Sequence, residues 1–319
     1  MANVYKPEGT LLTNPDNTEA IGSFQGLERA MLTGKILEAP VLLCDNKMCL
    51  HVDLMGIDGI IEKDEAVYSP TGEPSKDIAV ITRVGKPVCF KVMGIEQRNG
   101  RTVARLSRRE AQRECMENFI STLRCGDIIP AKVTHMESFG AFVDIGCGIV
   151  SLLSIDCLSV SRISHPRDRL NVGLSIQVVV KVIDRANHRI FVSMRELLGT
   201  WEQNAAEFEV GQTVAGIVRS VEPYGIFIEL APNLAGLAEL RCDGTVPPPD
   251  QLVGQYTAVY IKSIIPERMK VKLVMVDSYH GDIRKMPLRY YVDGETCSHM
   301  DYWRYSPECS SKLVETIFQ

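Results

Sequence analysis

Chemistry in this chain would have to come from ten cysteines, six histidines and 40 carboxylate side chains set against 35 basic ones. None of them is spaced for catalysis. There is no G-x-x-x-x-G-K-[ST] to cradle phosphates, no H-E-x-x-H, no G-x-S-x-G, no C-x-x-C, and no histidine beside a nucleophile in sequence. The expectation is a protein that is not an enzyme and carries no cofactor. Cys297, His299 and Cys309 form a possible metal set, but a fourth ligand and regular spacing are missing, so packing of the C-terminal tail is the expected role. Arg105, Arg108, Arg109, Arg113 and Arg124 could contact the phosphates of a nucleic acid or an acidic protein surface. Glu110, Glu114 and Glu117 interleave with them, and a solvated, salt-bridged helix accounts for the run equally well.

The chain of 319 residues has room for three small domains, and 45% hydrophobic with 24% charged residues is ordinary for folded globular protein. No apolar run is long enough to span a bilayer, and the first residues lack the apolar stretch of a signal peptide, so a cytoplasmic protein with no membrane partner is expected. The formal charge is −5. Lys plus Arg against Asp plus Glu runs 8 to 13 over residues 1–90, 8 to 4 over 91–125, 8 to 7 over 126–200 and 11 to 16 over 201–319. A polyanion, if one binds, is expected at the middle of the chain.

The elements that would position such residues repeat. Gly126-Asp127-Ile128-Ile129-Pro130-Ala131-Lys132-Val133 is followed, fourteen residues after its glycine, by Gly140-Ala141-Phe142-Val143-Asp144-Ile145; Gly211 to Val218 is followed at the same offset by Gly225 to Leu230, 85 residues on. Each block continues into a glycine-led strand, Gly173 to Asp184 or Gly254 to Ile265, and then a last strand, Arg189 to Ser193 or Lys270 to Val274. Ile176, Val178, Val180 and Val182 alternate at period 2, as do Thr257, Val259 and Ile261. Five short strands per unit fit a closed barrel without exposed edges. A third, divergent copy precedes these, with Gly85 to Val92, a hairpin turn at Asn99-Gly100 and a close at Leu106-Ser107; Gly34 to Leu37 and Met48 to Leu54 would supply its earlier strands. Apolar residues at helical spacing over Arg108–Arg124 and Glu196–Phe208 make the connectors helical, and 1–26 reads as an irregular extension, with Pro247-Pro248-Pro249 a stiff loop. The expected fold is all-β, with tandem five-stranded OB-type barrels joined by short helical linkers: an extension 1–30, barrels at 31–107, 125–195 and 210–276, linkers at 108–124 and 196–209, and an aromatic tail 277–319.

Gly126 to Ser193 resembles the S1 RNA-binding domain, most clearly at Ser138-Phe139-Gly140-Ala141-Phe142-Val143-Asp144-Ile145-Gly146, with Ser164-His165-Pro166 and Val180-Lys181-Val182-Ile183-Asp184 in agreement. The third unit matches less completely and the first only in its C-terminal half. The whole chain is similar to the short three-domain S1 proteins of clostridial bacteria. The resemblance implies a barrel face that stacks unpaired bases on aromatic rings and tracks phosphates with basic side chains.

On that resemblance the RNA-binding residues are Phe139, Phe142, Ser151, Lys181, Asp184 and Arg189 in the second barrel and Tyr224, Phe227 and Lys270 in the third. A ring of either pair filling its barrel core is the competing reading, since strand residues three apart face opposite sides unless Gly140 bulges. Where the family has a histidine after the third strand's Gly-hydrophobic-Val, the corresponding positions are assigned here to Ser151 and Glu239; Ile265 replaces an acidic residue, and Glu239 would repel phosphate. The first barrel lacks the aromatic pair and reads as an adaptor. The implied function is single-stranded RNA or mRNA binding in association with the small ribosomal subunit, promoting mRNA binding in translation. The alternative is a docking scaffold or accessory subunit among RNA-processing proteins, with weak RNA affinity.

Overall fold

The computed structural model describes residues 5–98, 100–239, 252–279 and 285–319, and the triple proline at 247–249 lies outside them. Fifteen strands build three closed barrels. The first contains β1 (Leu37–Cys44), β2 (Leu50–Asp53), β3 (Asp58–Ile61), β4 (Pro87–Arg98) and β5 (Arg101–Ser107). The second contains β6 (Ile128–Glu137), β7 (Gly140–Asp144), β8 (Val150–Ser154), β9 (Ser175–Asp184) and β10 (Arg189–Ser193), and the third β11 (Thr213–Glu222), β12 (Gly225–Ala231), β13 (Leu234–Ala238), β14 (Tyr256–Ile265) and β15 (Lys270–Tyr279). All three have the same order, with the third strand pairing in parallel with the fifth. Closure leaves no edge strand in any barrel.

The glycines that lead the repeat have a backbone reason. Gly126, Gly173, Gly211 and Gly254 enter their strands at φ between 86° and 95°, a region costly for any residue with a Cβ. The period-2 pattern holds up to the bulge of β9: Ile176, Val178 and Val180 there, and Thr257, Val259 and Ile261 on β14, are 4% exposed or less, while Val182, beyond the bulge, is turned outward and 47% exposed. Bulges recur at matching places. On the first strand of a barrel they fall at Val41/Leu43 and Val218/Ser220, and on the fourth and fifth pair at Val92/Gly94, Phe191/Val192 and Ile261/Ser263.

The connectors are helical, α4 (Arg108–Asn118) and α5 (Trp201–Ala205), and α3 (Asp77–Ile81) lies within the first barrel's sequence. The N-terminal extension departs from expectation, because it folds as two helices, α1 (Pro15–Ile21) and α2 (Phe24–Thr33). Asn14 accepts from Asp16 N and Ser23 from Gly26 N, so residues that read as loop formers are N-caps. Among the described residues no helix is long and apolar enough to cross a membrane.

The chain divides into two compact units, one comprising Met1–Leu123, Pro130–Lys132 and Val143–Ser151, the other Arg124–Ile129, Val133–Phe142 and Leu152–Gln319. The first has its core in Leu37, Val41, Leu50, Phe90 and Leu106, onto which α2 adds Leu27 and Ala30. It also buries charge. The Glu8 carboxylate accepts from Arg108 Nε and Nη2 at 2.7 and 3.0 Å and from Cys89 N at 3.1 Å, while Glu8 N donates to Asp144 Oδ2 at 2.7 Å. Burial would raise the Glu8 carboxyl, but Arg108 overcomes it and holds the group low. Burial and the neighbouring Glu8 push Asp144 up to about 7. Arg108 is 2% exposed, so of the arginine run it is the one withdrawn from any phosphate. Arg113 is held by Glu110 and Glu117, which realises the salt-bridged alternative for it, while Arg109 pairs with Glu65 outside the helix.

In the second unit the tail carries a two-stranded sheet, β16 (Tyr302–Arg304) and β17 (Glu315–Ile317), and packs Trp303, Tyr305 and Phe318 into the core around Ile228, Leu230, Val259 and Leu273. Trp303, Tyr305 and Phe318 of the tail are therefore core, while Tyr302 is 47% exposed. His299 belongs to this docking: Nδ1 lies 2.6 Å from Asp127 Oδ1 and Nε2 3.1 Å from Asp301 Oδ1, with Met300 N donating to Gly126 O at 2.8 Å. Its ring nitrogens serve carboxylates, and Cys297 Sγ donates to the backbone carbonyl of His299. Asp127, and to a lesser degree Asp301, raises the His299 pKa above its usual value. A raised histidine adds stability that is complete below the unfolded pKa, ~6.5, and lost as pH rises through the higher folded value. Thermal scans should accordingly find the unmutated protein less stable at pH 8 than at pH 6, by a margin that His299→Gln shrinks; an equal margin in both proteins would refute the assignment.

Candidate nucleic-acid interface

Strand alternation decides which side chains leave the barrels. On β7, Ala141 and Val143 are fully buried and Phe142 between them is half-buried; on β12, Ile226 and Ile228 are buried and Phe227 is half-buried. Phe139 and Tyr224, in the turns before these strands, are 53% and 63% exposed. In each pair the rings meet edge to face, with centroids 6.0 Å apart at 90° for Phe139–Phe142 and 6.2 Å at 89° for Tyr224–Phe227. Both pairs are surface features, and neither fills a core. Edge-to-face contact adds roughly 0.5–1.5 kcal/mol beyond burial, which holds the rings in place before any ligand arrives.

The glycine inside each pair is required by close strand approach. A Cβ on Gly140 would lie 2.6 Å from Leu153 O and 2.9 Å from Ser154 Cα, and one on Gly225 would lie 2.7 Å from Ala238 O. The turn before the strand, rather than a bulge at the glycine, brings the two rings to one side.

A third ring joins the second barrel's pair. His135 on β6 stacks on Phe142, with centroids 6.1 Å apart and an interplanar angle of 23°, while Nε2 reaches Glu137 Oε1 at 2.6 Å. The counterpart in the third barrel is Ser220, the register partner of Phe227, so no ring stands at that place. On the far side of Phe142, Leu152 on β8 pairs with Phe191 on β10, and Phe191 pairs with Val182 on β9. Phe191 lies between the buried Ile190 and Val192, so its ring is carried outward, as is the exposed Arg189 two residues earlier.

The basic residues edge this face. Lys181 occupies the bulge of β9, half-buried, with Nζ 3.1 Å from Cys157 Sγ. Asp184 is a turn former: its carboxylate accepts from Asn187 Nδ2 at 2.7 Å and Asn187 N at 3.1 Å, which hold its pKa below the usual range, and it opposes Arg189 across the hairpin. In the third barrel Lys262 occupies the matching bulge, Lys270 the Arg189 position and Lys272 the Phe191 position, all three exposed. In the first barrel the same places hold Met93 in the bulge, Val103 at the Arg189 position and Arg105 at the Phe191 position, opposite Ile60.

Ser151 is misplaced by the sequence reading. It is 2% exposed, on the inward side of β8 with Leu153, and cannot reach a ligand on the outer face. Register explains the error. Leu152 opposite Phe191 corresponds to Leu237 opposite Lys272, so the counterpart of Glu239 is Ser154, half-buried on the outward side with Leu152. His135, Phe191 and Lys262 were missed. The seven-residue step that places His135 across the hairpin from Phe142 recurs as Ser220 and Phe227, and Phe191 stands alone between inward β-branched residues, so alternation could have flagged both.

Residues 122–195 match the family model described as the S1 RNA binding domain. The second barrel is thus similar to S1 RNA binding domains. Small ribosomal subunit protein bS1 of Rhizobium meliloti is 29% identical to it over 225 residues, 68% of this chain and 38% of that one. The protein of the same name from Staphylococcus aureus is 29% identical over 198 residues, 59% of this chain and 50% of that one. The chain thus spans half or less of the length of these relatives. A solved multidomain protein with nucleic acid binding domains from Streptococcus pneumoniae aligns over 76% of this chain and 73% of that one, with 15% identity and a TM-score of 0.25, too low to bear on the reading.

Proposed function

We propose that this protein binds single-stranded RNA, chiefly on the outer face of its second barrel, and acts with the small ribosomal subunit to help mRNA associate with it in the cytoplasm. The observation that carries the reading is the pre-arranged aromatic cluster of Phe139, Phe142 and His135, turned outward on the barrel that also carries Lys181 and Arg189. Every base has a π-face, so such a cluster recognises unpaired strands without demanding a sequence, at about 1–3 kcal/mol per stacked base. The third barrel supports a second, more electrostatic contact through Tyr224, Phe227, Lys262, Lys270 and Lys272. The ribosomal part of the proposal draws on the relatives named bS1.

The first barrel favours a different partner. Leu43 and Met93 are 48% and 49% exposed on it, and the aromatic pair of the other two barrels is missing there. That composition suits a protein surface, ribosomal or RNA-processing, better than a phosphate backbone.

Fluorescence anisotropy with an unstructured RNA, read across a salt series, tests the proposal together with co-sedimentation with small subunits. Each phosphate contact on a single strand contributes a slope of about −0.7 in log affinity against log salt. Arg189→Gln should therefore weaken binding to all unstructured RNAs alike and flatten the slope by about that amount. No binding at low salt, with no co-sedimentation, would reject the reading.

A further inference from the structure

Phe191 is an aromatic ring for which the cluster around Phe142 has no use. It sits on β10, half-buried and outward, with Leu152 as its partner on β8. In the second barrel's strand order β8 lies between β7 and β10, and the Leu152 Cδ1 atom lies 3.3 Å from where a Gly140 Cβ would be. Phe142 and Phe191 thus flank one leucine on adjacent strands. Two interstrand spacings separate their backbones by about 10 Å. One flat base cannot cover both rings.

We propose that Phe191 is a second base platform, so that one RNA strand crosses the second barrel over β7, β8 and β10 and stacks different nucleotides on Phe142 and Phe191, with Leu152 as the apolar floor between them. This deepens the RNA-binding reading and rests on it. Charge complementarity points to nucleic acid as the occupant. Arg189 projects on the same side two residues before Phe191, Arg185 and His188 are exposed in the adjoining hairpin, and Lys181 lies in the bulge next to Val182, the residue that pairs with Phe191. The hairpin's one carboxylate, Asp184, is occupied by Asn187. Equivalent register positions in the other barrels hold Arg105 and Lys272, so this second platform is particular to the second barrel.

The test uses the full chain and fluorescein-labelled oligouridylate of about 12 nucleotides, within the usual span of a site on one such barrel. Phe191→Leu keeps bulk and removes the π-face, Phe191→Tyr keeps both, and Phe142→Leu serves as reference. Phe191→Leu is expected to weaken binding roughly 5- to 150-fold, the range to which about 1–3 kcal/mol converts, and Phe191→Tyr to restore it. A single 5-bromouridine-substituted strand should photocrosslink to peptides carrying Phe142 and to peptides carrying Phe191. If Phe142→Leu weakens binding while Phe191→Leu does not, and no crosslink reaches Phe191, the second platform is overturned and the RNA reading stands. If the unmutated chain does not bind the oligonucleotide, both fall. Should neither leucine variant change RNA affinity while both abolish co-sedimentation with ribosomes, the face belongs to a protein partner and the platform is again overturned.

Discussion

Replacing Phe139 and Phe142 together by alanine is expected to weaken binding of unstructured RNA by well over tenfold while leaving the protein folded. At about 1–3 kcal/mol per stacked base the loss of two platforms together exceeds that size. The structure argues that the two rings act as a unit, because their edge-to-face contact means that removing either frees the other. The single variants should each lose most of what the double variant loses. Folding should survive, since Phe139 is 53% exposed and Phe142 projects away from the buried Ala141 and Val143. His135, stacked on Phe142, would lose its support, so His135→Ala should cost less in the double variant than in the unmutated protein. Isothermal titration of the four proteins with one RNA measures this coupling. Affinity within twofold of the unmutated value for the double variant would leave the aromatic cluster without a role in binding.

How far the sequence carried to this site can be followed residue by residue. The barrels were readable because their signals are local. A glycine forced to positive φ, alternation over a few positions and a short turn all lie within one strand or hairpin. The aromatic pairs were readable for the same reason, each lying within four residues around a glycine. What lay beyond reach was register across strands. Ser151 follows from counting from the preceding glycine, but the pairing of Leu152 with Phe191 and of Leu237 with Lys272 puts Ser154 at the intended position. A slip of an odd number of residues turns a strand side chain from one face to the other, so a count that errs by three changes a surface residue into a buried one. Phe191 and Lys262 went unnoticed because their significance lies in which strands flank them. Glu8 shows the limit most plainly: in a segment rich in Asn, Pro, Gly and Thr it reads as loop, yet it buries an ion pair with Arg108, 100 residues away.

The largest stability effect is expected at a residue that no local pattern marks. Glu229 on β12 is fully buried and engages two arginines: Arg169, 2% exposed, through both guanidinium nitrogens, and Arg219 through Nε at 2.6 Å. Arg169 also donates to Ser159 Oγ at 2.9 Å. The cluster ties the segment between β8 and β9 to the third barrel within the second unit. Its net worth relative to a hydrophobic pair need not be large, because desolvation offsets most of the attraction. Breaking it is another matter. Glu229→Ala leaves a buried guanidinium without a counter-charge, and the expected cost is about 3–5 kcal/mol, or a fall in Tm of roughly 6–20 °C for a unit of this size. The companion variant separates charge from packing. Arg169→Met with Glu229→Met removes the buried pair and fills its volume, while Arg219 keeps Asp168 at 3.9 Å, so much of the lost stability should return. Differential scanning calorimetry of the three proteins decides it. A single variant within about 1 kcal/mol of the unmutated protein would mean that water reaches the stranded arginine. A double variant as unstable as the single would mean that packing geometry, and not charge, is what the cluster supplies. RNA affinity should not follow either change, because Glu229 and Arg169 are buried and withdrawn from any ligand, and that independence separates the folding role of these arginines from the binding role assigned to Arg189.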